Sequence, residues 1–136
     1  MSIIKWSEEL CIGSDSIDEQ HRQLINIINE LHLAVEYHGG NAAILPLVNK
    51  LHAYARTHFE DEEHLLEQLG FPGKVDHALE HDEFIARLDA LILQYSSSSD
   101  LLTVHIRDFL LTWFFIHIRV HDMEYKQFLE QKRSPR

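Results

Sequence analysis

The sequence predicts an all-α protein, an up-down-up-down antiparallel four-helix bundle with an N-terminal arm. Four long segments repeat apolar residues at helical spacing, and short runs of breaker residues separate them. Helices joined by such short loops pack as antiparallel neighbours. No segment alternates apolar and polar residues as a half-buried strand would. The length of 136 residues suits a single domain over 1–136.

The first helix is expected over about 16–37. Ser16 is a candidate N-cap, and Glu19, three residues later, would complete a capping box. The apolar stripe continues until Gly39 and Gly40, a pair that ends helices. The segment before this helix is less regular, so we expect it to lie over the bundle as an arm.

The second helix is expected over about 41–69, with Pro46 in its early part. The run LGFPGK at 69–74 then breaks the helical pattern. The third helix is expected over about 74–95 and is followed by a serine run that reads as a polar linker. These two helices are therefore joined by a short turn and should pack side by side.

The last part of the chain predicts a fourth helix over about 100–120, capped by Asp100, and a short C-terminal helix over about 122–131. The most apolar stretch, residues 109–118, is too short to span a bilayer and has charged residues on both sides. We therefore expect no membrane insertion.

The charge balance and the cysteine count restrict the function classes. The chain has 22 acidic and 12 basic residues and a net charge of −10, which disfavours nucleic acid as a partner. Cys11 is the only cysteine, so the chain has no internal disulfide. This cysteine usage fits a cytoplasmic protein.

Histidines and a carboxylate lie on the apolar faces of the predicted helices, where they would be buried. These inward residues are His21, His58, Glu62, His77, His81 and His117. His58 and Glu62 are four residues apart, as are His77 and His81, so both side chains of each pair project from one helix face. A buried carboxylate without a partner is costly, and a bound cation removes that cost. The pattern therefore predicts a metal centre in the core.

The ligand types narrow the choice of metal. Imidazole and carboxylate without thiolate suit iron, manganese, copper, nickel or zinc and disfavour calcium and magnesium. Five histidines plus carboxylates exceed the needs of one tetrahedral zinc ion. A two-metal site with bridging carboxylates would use them all.

The fourth helix leaves one ligand open. Helical spacing pairs His117 with His121, four residues on. Asp122 is five residues on, or about 140° away around a regular α-helix. It reaches the same face only if the helix widens into a π-type turn or breaks. Spacing alone does not choose between His121 and Asp122.

The ordered motifs resemble the hemerythrin family, and most of all its single-domain bacterial form. The resemblance covers nearly the whole chain. The motifs with ligand-type residues are His21, HFEDE at 58–62, HALEH at 77–81 and HIRVHD at 117–122. Further similar stretches are WSEEL at 6–10, IDEQH at 17–21, GFP at 70–72 and WFFIHIRVHDMEYKQFL at 113–129.

The resemblance implies a non-heme di-iron centre that binds O2 reversibly, with an oxo or hydroxo group as a third bridge. It implies seven ligands: His77, His81 and His117 on one iron, His21 and His58 on the other, and Glu62 and Asp122 bridging both. The resemblance thereby selects Asp122 over His121. It leaves the roles of His121 and Tyr125 open.

The family's apolar O2 pocket falls on positions that are also apolar in this chain. They are Leu24, Phe59, Trp113, Phe114 and Ile118. The resemblance therefore implies an oxygen carrier for storage or delivery, and not an enzyme, with nitric oxide as an alternative ligand. Two other functions stay open, an O2- or redox-sensing regulatory module and a di-iron oxidase or peroxidase.

Overall fold

The predicted all-α four-helix bundle is confirmed. The structure, a computed structural model, describes residues 3–36 and 41–133. Its helical elements are α1 (Asp15–Glu36), α2 (Asn41–Leu69), α3 (Lys74–Gln94), α4 (Ser99–Trp113), a π-helical segment (Phe114–Asp122) and α5 (Met123–Arg133). The predicted end of the first helix at Gly39 and Gly40 lies outside the described residues.

Two helix starts differ from the predicted caps. Ser14, not Ser16, caps α1, since its Oγ accepts a backbone N–H of the first turn at 3.5 Å. Ser98, not Asp100, caps α4 and accepts the N–H of Leu101 at 3.3 Å. Apolar spacing locates the first buried residue of a helix. It does not decide which of several nearby polar residues lies in the half-turn before it.

The turn between α2 and α3 requires glycine. Gly70 has φ +66°, a left-handed conformation that ends a helix and disfavours side chains. The N–H of Phe71 donates to the carbonyl of Leu66 at 3.0 Å, which closes the last turn of α2. A Cβ on Gly73 would lie 2.8 Å from the Phe71 ring. This tight turn places the Phe71 ring against Tyr125, with ring centroids 6.1 Å apart.

The N-terminal arm is held to the bundle by two side chains of α1. Asn29 accepts the N–H of Ile4 at 3.1 Å and donates to the Ile4 carbonyl at 2.9 Å. The Asp18 carboxylate accepts the N–H of Ile12 at 2.7 Å and the Cys11 thiol at 3.1 Å. Since Ile12 is fully buried, the arm closes one end of the core.

Replacing Asp18 by alanine is expected to lower the free energy of unfolding by about 1–3 kcal/mol, because it leaves the buried N–H of Ile12 without an acceptor. Urea denaturation monitored by circular dichroism measures this. Asp15→Ala, an exposed acid one turn earlier, is the control and should stay within about 0.5 kcal/mol of the wild type. An equal loss of unfolding free energy in the two variants would contradict the role of Asp18 in holding the arm.

Polar groups form a layer between two apolar clusters of the core. On α1, His21 lies between Ile17 of the smaller cluster and Leu24 of the larger one. On α2, Glu62 lies between Ala55 of the larger cluster and Leu66 of the smaller one. The apolar side chains on both sides therefore exclude water from this layer.

Among the described residues, one helical run, Leu101–Lys132, is long and apolar enough to cross a bilayer by length and composition. Core helices of soluble proteins meet the same criterion. This run buries Ile106 and Leu110 fully in the bundle and turns His117 and Asp122 inward. Packing in the bundle therefore explains part of its apolar content, whereas Phe115, Ile116 and Val120 are 48–53% exposed.

Candidate metal centre

Glu62 on α2 lies at the centre of the polar layer and is fully buried. Its Oε1 lies 2.7 Å from His77 Nε2 and 2.9 Å from His81 Nε2. Its Oε2 lies 3.5 Å from His58 Nε2 and 3.8 Å from His21 Nε2. The two oxygens of one carboxylate therefore face two different groups of histidines.

Asp122, from the π-helical segment, repeats this arrangement in the same layer. Its Oδ1 lies 2.8 Å from His77 Nε2 and 3.1 Å from His117 Nε2. Its Oδ2 lies 3.2 Å from His21 Nε2. Two carboxylates thus lie between a three-histidine group (His77, His81 and His117) and a two-histidine group (His21 and His58).

The π-helical segment explains how Asp122 reaches the interior. In a regular α-helix, Asp122 would lie about 140° from His117 around the axis. The i→i+5 bonding of the π-helical segment, Phe114–Asp122, brings residues five apart onto one face. Asp122 is fully buried, whereas the His121 side chain is 35% exposed. The residue that faces the polar layer is therefore Asp122.

Each of the seven side chains predicted to bind metal is buried in this layer. Their exposed fractions are His21 0%, His58 2%, Glu62 0%, His77 4%, His81 1%, His117 2% and Asp122 0%. Among the described residues, Glu62 belongs to two sets of donor atoms that lie within 4.8 Å of one another. They are Glu62 with His77, His81 and His117, and Glu62 with His21 and His58. A third set joins His117 to Glu80 and His121.

Unpartnered polar atoms show that the layer fits metal ions. Within the described part of the chain, both ring nitrogens of His21 and both oxygens of Asp122 are buried without a hydrogen-bond partner. His21 Nε2 lies 3.2 Å from Asp122 Oδ2, but the two do not align as donor and acceptor. Buried groups of this kind cost about 1–3 kcal/mol each unless something binds them. Cations between the carboxylates and the imidazoles would remove that cost.

Outer hydrogen bonds fix three of the imidazoles. The bonds are His58 Nδ1 to Gln20 Oε1 at 2.7 Å, His81 Nδ1 to Glu63 Oε2 at 3.0 Å and His117 Nδ1 to Glu80 Oε2 at 2.8 Å. Each acceptor is an oxygen, so each Nδ1–H donates. In the neutral imidazole the lone pair is then on Nε2, which points into the polar layer, where a metal would bind it.

Sequence reasoning missed these three acceptors. Glu63 belongs to an acidic run that is typical of a solvated face, and its side chain is 41% exposed. Gln20 and Glu80 also look like surface residues, because they are polar and flank the apolar stripe. Their position in the chain could have indicated this role, since each of the three directly precedes or follows a predicted ligand.

Tyr125 and His121 contact the centre in different ways. The Tyr125 hydroxyl is buried and donates to Glu62 Oε2 at 2.8 Å. Burial and the charge of Glu62 raise the pKa of Tyr125, so the hydroxyl stays a donor. His121 instead lies 2.5 Å from Glu80 Oε1. Tyr125 therefore orients a carboxylate of the centre, and His121 lies outside it, against Glu80 and the edge of the His117 ring.

The five residues predicted to line an O2 pocket lie on the larger apolar cluster. The Phe59 ring stacks on His81, with centroids 4.0 Å apart and planes 7° apart. The Trp113 ring stacks on His117 at 4.0 Å and 14°. The other three are buried: Leu24, Phe114 and Ile118. The two aromatic rings shield the three-histidine group from water, and the pocket itself stays a prediction.

The carboxylates determine the protonation of the histidines in the metal-free protein. Burial lowers the pKa of His77, but the Asp122 and Glu62 carboxylates beside its Nε2 favour the charged form, outweigh burial and raise the pKa to about 9. Burial is likewise outweighed at His117, where the charge of Asp122 raises the pKa to about 10. Burial dominates at His58 and lowers its pKa to about 4. Metal ions entering this site at neutral pH would therefore displace protons from His77 and His117.

Raising the pH of the metal-free protein from 7 to 10 is expected to lower its melting temperature. The pKa values of His77 and His117 are about 9 and about 10 in the folded protein, above the ordinary 6.5. Bases whose pKa rises on folding stabilise the fold fully below pH 6.5 and lose that effect as the pH passes the folded value. Calorimetry measures the melting temperature. A melting temperature that rises from pH 7 to pH 10 would contradict the raised pKa values of His77 and His117.

Comparison with known proteins places the chain in a family. Residues 12–129 match the hemerythrin HHE cation binding domain. A bacteriohemerythrin from Stenotrophomonas maltophilia is 34% identical over 125 residues, covering 92% of this chain and 80% of that protein. One from Clostridium acetobutylicum is 32% identical over 124 residues, covering 88% and 96%. A crystal structure of a leucine-to-tyrosine hemerythrin mutant shares the fold, with a TM-score of 0.78, 24% identity and coverage of 95% and 98%. The predicted resemblance is confirmed, and this chain belongs to the hemerythrin family, whose domain binds cations.

Proposed function

We propose that this protein binds O2 reversibly at a non-heme di-iron centre and acts as an oxygen carrier, for storage or delivery, in the cytoplasm. The observation that supports this most directly is the geometry of the carboxylates. Glu62 and Asp122 each direct their two oxygens at different histidine groups inside a core that excludes water. Such carboxylates suit a bridging role between two metal ions.

Each ligand in the proposal has a defined place. His77, His81 and His117 would hold one iron, His21 and His58 the other, and Glu62 and Asp122 would bridge them. When bound and reduced, the iron pair supplies the electrons and the coordination that O2 requires. Tyr125 keeps one Glu62 oxygen in place through a 2.8 Å hydrogen bond.

The apolar shell around the imidazoles supports reversibility. The stacked rings of Phe59 and Trp113 cover the three-histidine group. Added protons and water would promote loss of O2 in a reduced form, so their exclusion favours release of intact O2. The predicted ligand set also favours reversible O2 binding over oxidation of a substrate. Ferritin-like oxidases use four carboxylates in Glu-x-x-His bundles, whereas two bridging carboxylates are proposed here.

Oxygen uptake by the reduced, iron-loaded protein tests the proposal. One O2 should be taken up per iron pair and recovered when the solution is purged with argon. Repeated cycles should give the same amount. Sustained O2 consumption with an added reductant, without recoverable O2, would instead identify an oxidase. Nitric oxide, an alternative ligand, can be titrated in the same way.

A sensing role is a second candidate, because a line of contacts connects the centre to the surface. His117 Nδ1 donates to Glu80 Oε2, and Glu80 Oε1 contacts the partly exposed His121. A change in metal state could therefore alter the surface near His121. A change in solution mass between the O2-bound and O2-free protein would favour sensing, and an unchanged mass would favour a carrier.

A further inference from the structure

His58 differs from the other two fixed imidazoles in the chemistry of its hydrogen-bond acceptor. The other two, His81 and His117, donate from Nδ1 to glutamate carboxylates. An ionised carboxylate can only accept, so the ring nitrogen that faces it carries the hydrogen. The acceptor of His58 Nδ1 is instead the side-chain amide of Gln20, at 2.7 Å. An amide has one end that accepts and one end that donates, so its orientation must be fixed by something else.

The orientation of the Gln20 amide determines which nitrogen of His58 can bind a metal. With the amide oxygen towards Nδ1, the hydrogen of the neutral ring is on Nδ1 and the lone pair is on Nε2. With the NH2 group towards Nδ1, the opposite tautomer is favoured, with its hydrogen on Nε2. His58 Nε2 lies 3.5 Å from Glu62 Oε2, inside the polar layer. A hydrogen on Nε2 would therefore compete with a metal ion for the same place.

Asp61 fixes this orientation from the protein surface. Asp61 is exposed, and its carboxylate accepts a hydrogen bond from Gln20 Nε2 at 2.7 Å. Because the carboxylate has no hydrogen to donate, the NH2 end of the amide must face Asp61, and the oxygen end then faces His58. Asp61 and His58 are three residues apart on α2, and Gln20 lies on α1. One amide therefore connects a surface carboxylate to an imidazole of the centre.

We propose that Asp61 is a positioning residue, which holds the Gln20 amide in the orientation that leaves the lone pair of His58 on Nε2. The inference deepens the proposed function and rests on it, because it takes His58 as a metal ligand. Asp61 acts over two hydrogen bonds in series, to Gln20 and from Gln20 to His58. It thereby does for the two-histidine group what Glu63 and Glu80 do directly for the three-histidine group.

Nitrogen NMR of the metal-free protein, with nitrogen-15 in its histidines, tests the orientation directly. At pH 7 the His58 ring is neutral, because burial lowers its pKa to about 4. The signals that vanish in His58→Gln identify this ring. We expect the hydrogen on Nδ1 in the wild type and a substantial population with the hydrogen on Nε2 in Asp61→Ala. Glu60→Ala, which removes an exposed acid one residue earlier, should keep the hydrogen on Nδ1. An unchanged tautomer in Asp61→Ala would overturn the proposal.

The affinity for ferrous iron, measured under argon by competition with a chelator, tests the effect on the centre. In Asp61→Ala, one of the two dissociation constants should rise about tenfold, the low end of the effect of losing an outer partner. Glu60→Ala removes the same charge and should have a smaller effect. Gln20→Glu places a carboxylate directly at His58 Nδ1, so removal of Asp61 should not weaken iron binding in that background. Unchanged constants in Asp61→Ala, or an equal loss in both backgrounds, would overturn the proposal.

Iron content separates the failure of this inference from the failure of the proposed function. If the wild type does not hold two irons per chain, the di-iron centre itself fails. If the wild type holds two irons and Asp61→Ala changes neither the tautomer nor the affinity, only the positioning role fails. Since Asp61 is exposed, circular dichroism should show that Asp61→Ala is as helical as the wild type.

Discussion

Replacing Glu62 by alanine is expected to abolish binding of both metal ions. Glu62 belongs both to the donor set of the three-histidine group and to that of the two-histidine group. Its Oε1 faces the three-histidine group, and its Oε2 faces the two-histidine group. Loss of this side chain therefore removes a ligand from each metal at once. The iron content of the reconstituted and desalted protein should fall from two per chain to near zero.

The control for this variant is Glu60→Ala. Glu60 lies on the same helix, two residues earlier, and is exposed. It should retain two irons per chain, and circular dichroism should show that both variants remain helical. Retention of two irons by folded Glu62→Ala would contradict the bridging role of this carboxylate.

Replacing Asp122 by alanine is expected to weaken metal binding far more than replacing its neighbour His121. Asp122 is fully buried and lies within 3.2 Å of histidines of both groups. The partly exposed His121 points away from the two carboxylates of the centre and meets it at Glu80 and at the edge of the His117 ring. Loss of an outer partner usually lowers metal affinity about 10- to 100-fold. We expect His121→Ala to lie at the low end of this range and Asp122→Ala to exceed it.

Competition against a chelator of known affinity measures both constants. Each variant should be compared at one pH, because the protons on His77 and His117 compete with the metal. The reverse order, with His121→Ala more damaging than Asp122→Ala, would mean that the π-helical segment does not have the register described here.

The parts of the centre that lie on regular helices could be predicted from spacing. His58 and Glu62 are four residues apart on α2, as are His77 and His81 on α3. A spacing of four places both side chains on one face of an α-helix. These elements required no knowledge of a family, because helical geometry and the cost of burying charge were sufficient.

The fourth helix could not be predicted in the same way. The inward position of Asp122 depends on π-type bonding over Phe114–Asp122, and α-helical periodicity does not describe such a segment. From spacing alone, His121 was an equally valid choice. Only the resemblance to a family selected Asp122 before the structure did.

The hydrogen bonds that the ligand imidazoles donate to neighbouring side chains could not be predicted from the sequence either. Gln20, Glu63 and Glu80 are polar residues at the edges of apolar stripes, and most such residues face solvent. Their role depends on the distance across a helix interface, which a single sequence does not provide.

The central claim is that seven inward side chains form one centre for two iron ions that share Glu62 and Asp122. A Mössbauer spectrum of the oxidised protein, loaded with iron-57 and recorded at low temperature with and without an applied field, tests it most directly. The account predicts two irons per chain with the diamagnetic ground state of a coupled ferric pair. Magnetically isolated high-spin ferric iron, at one ion per chain, would contradict it.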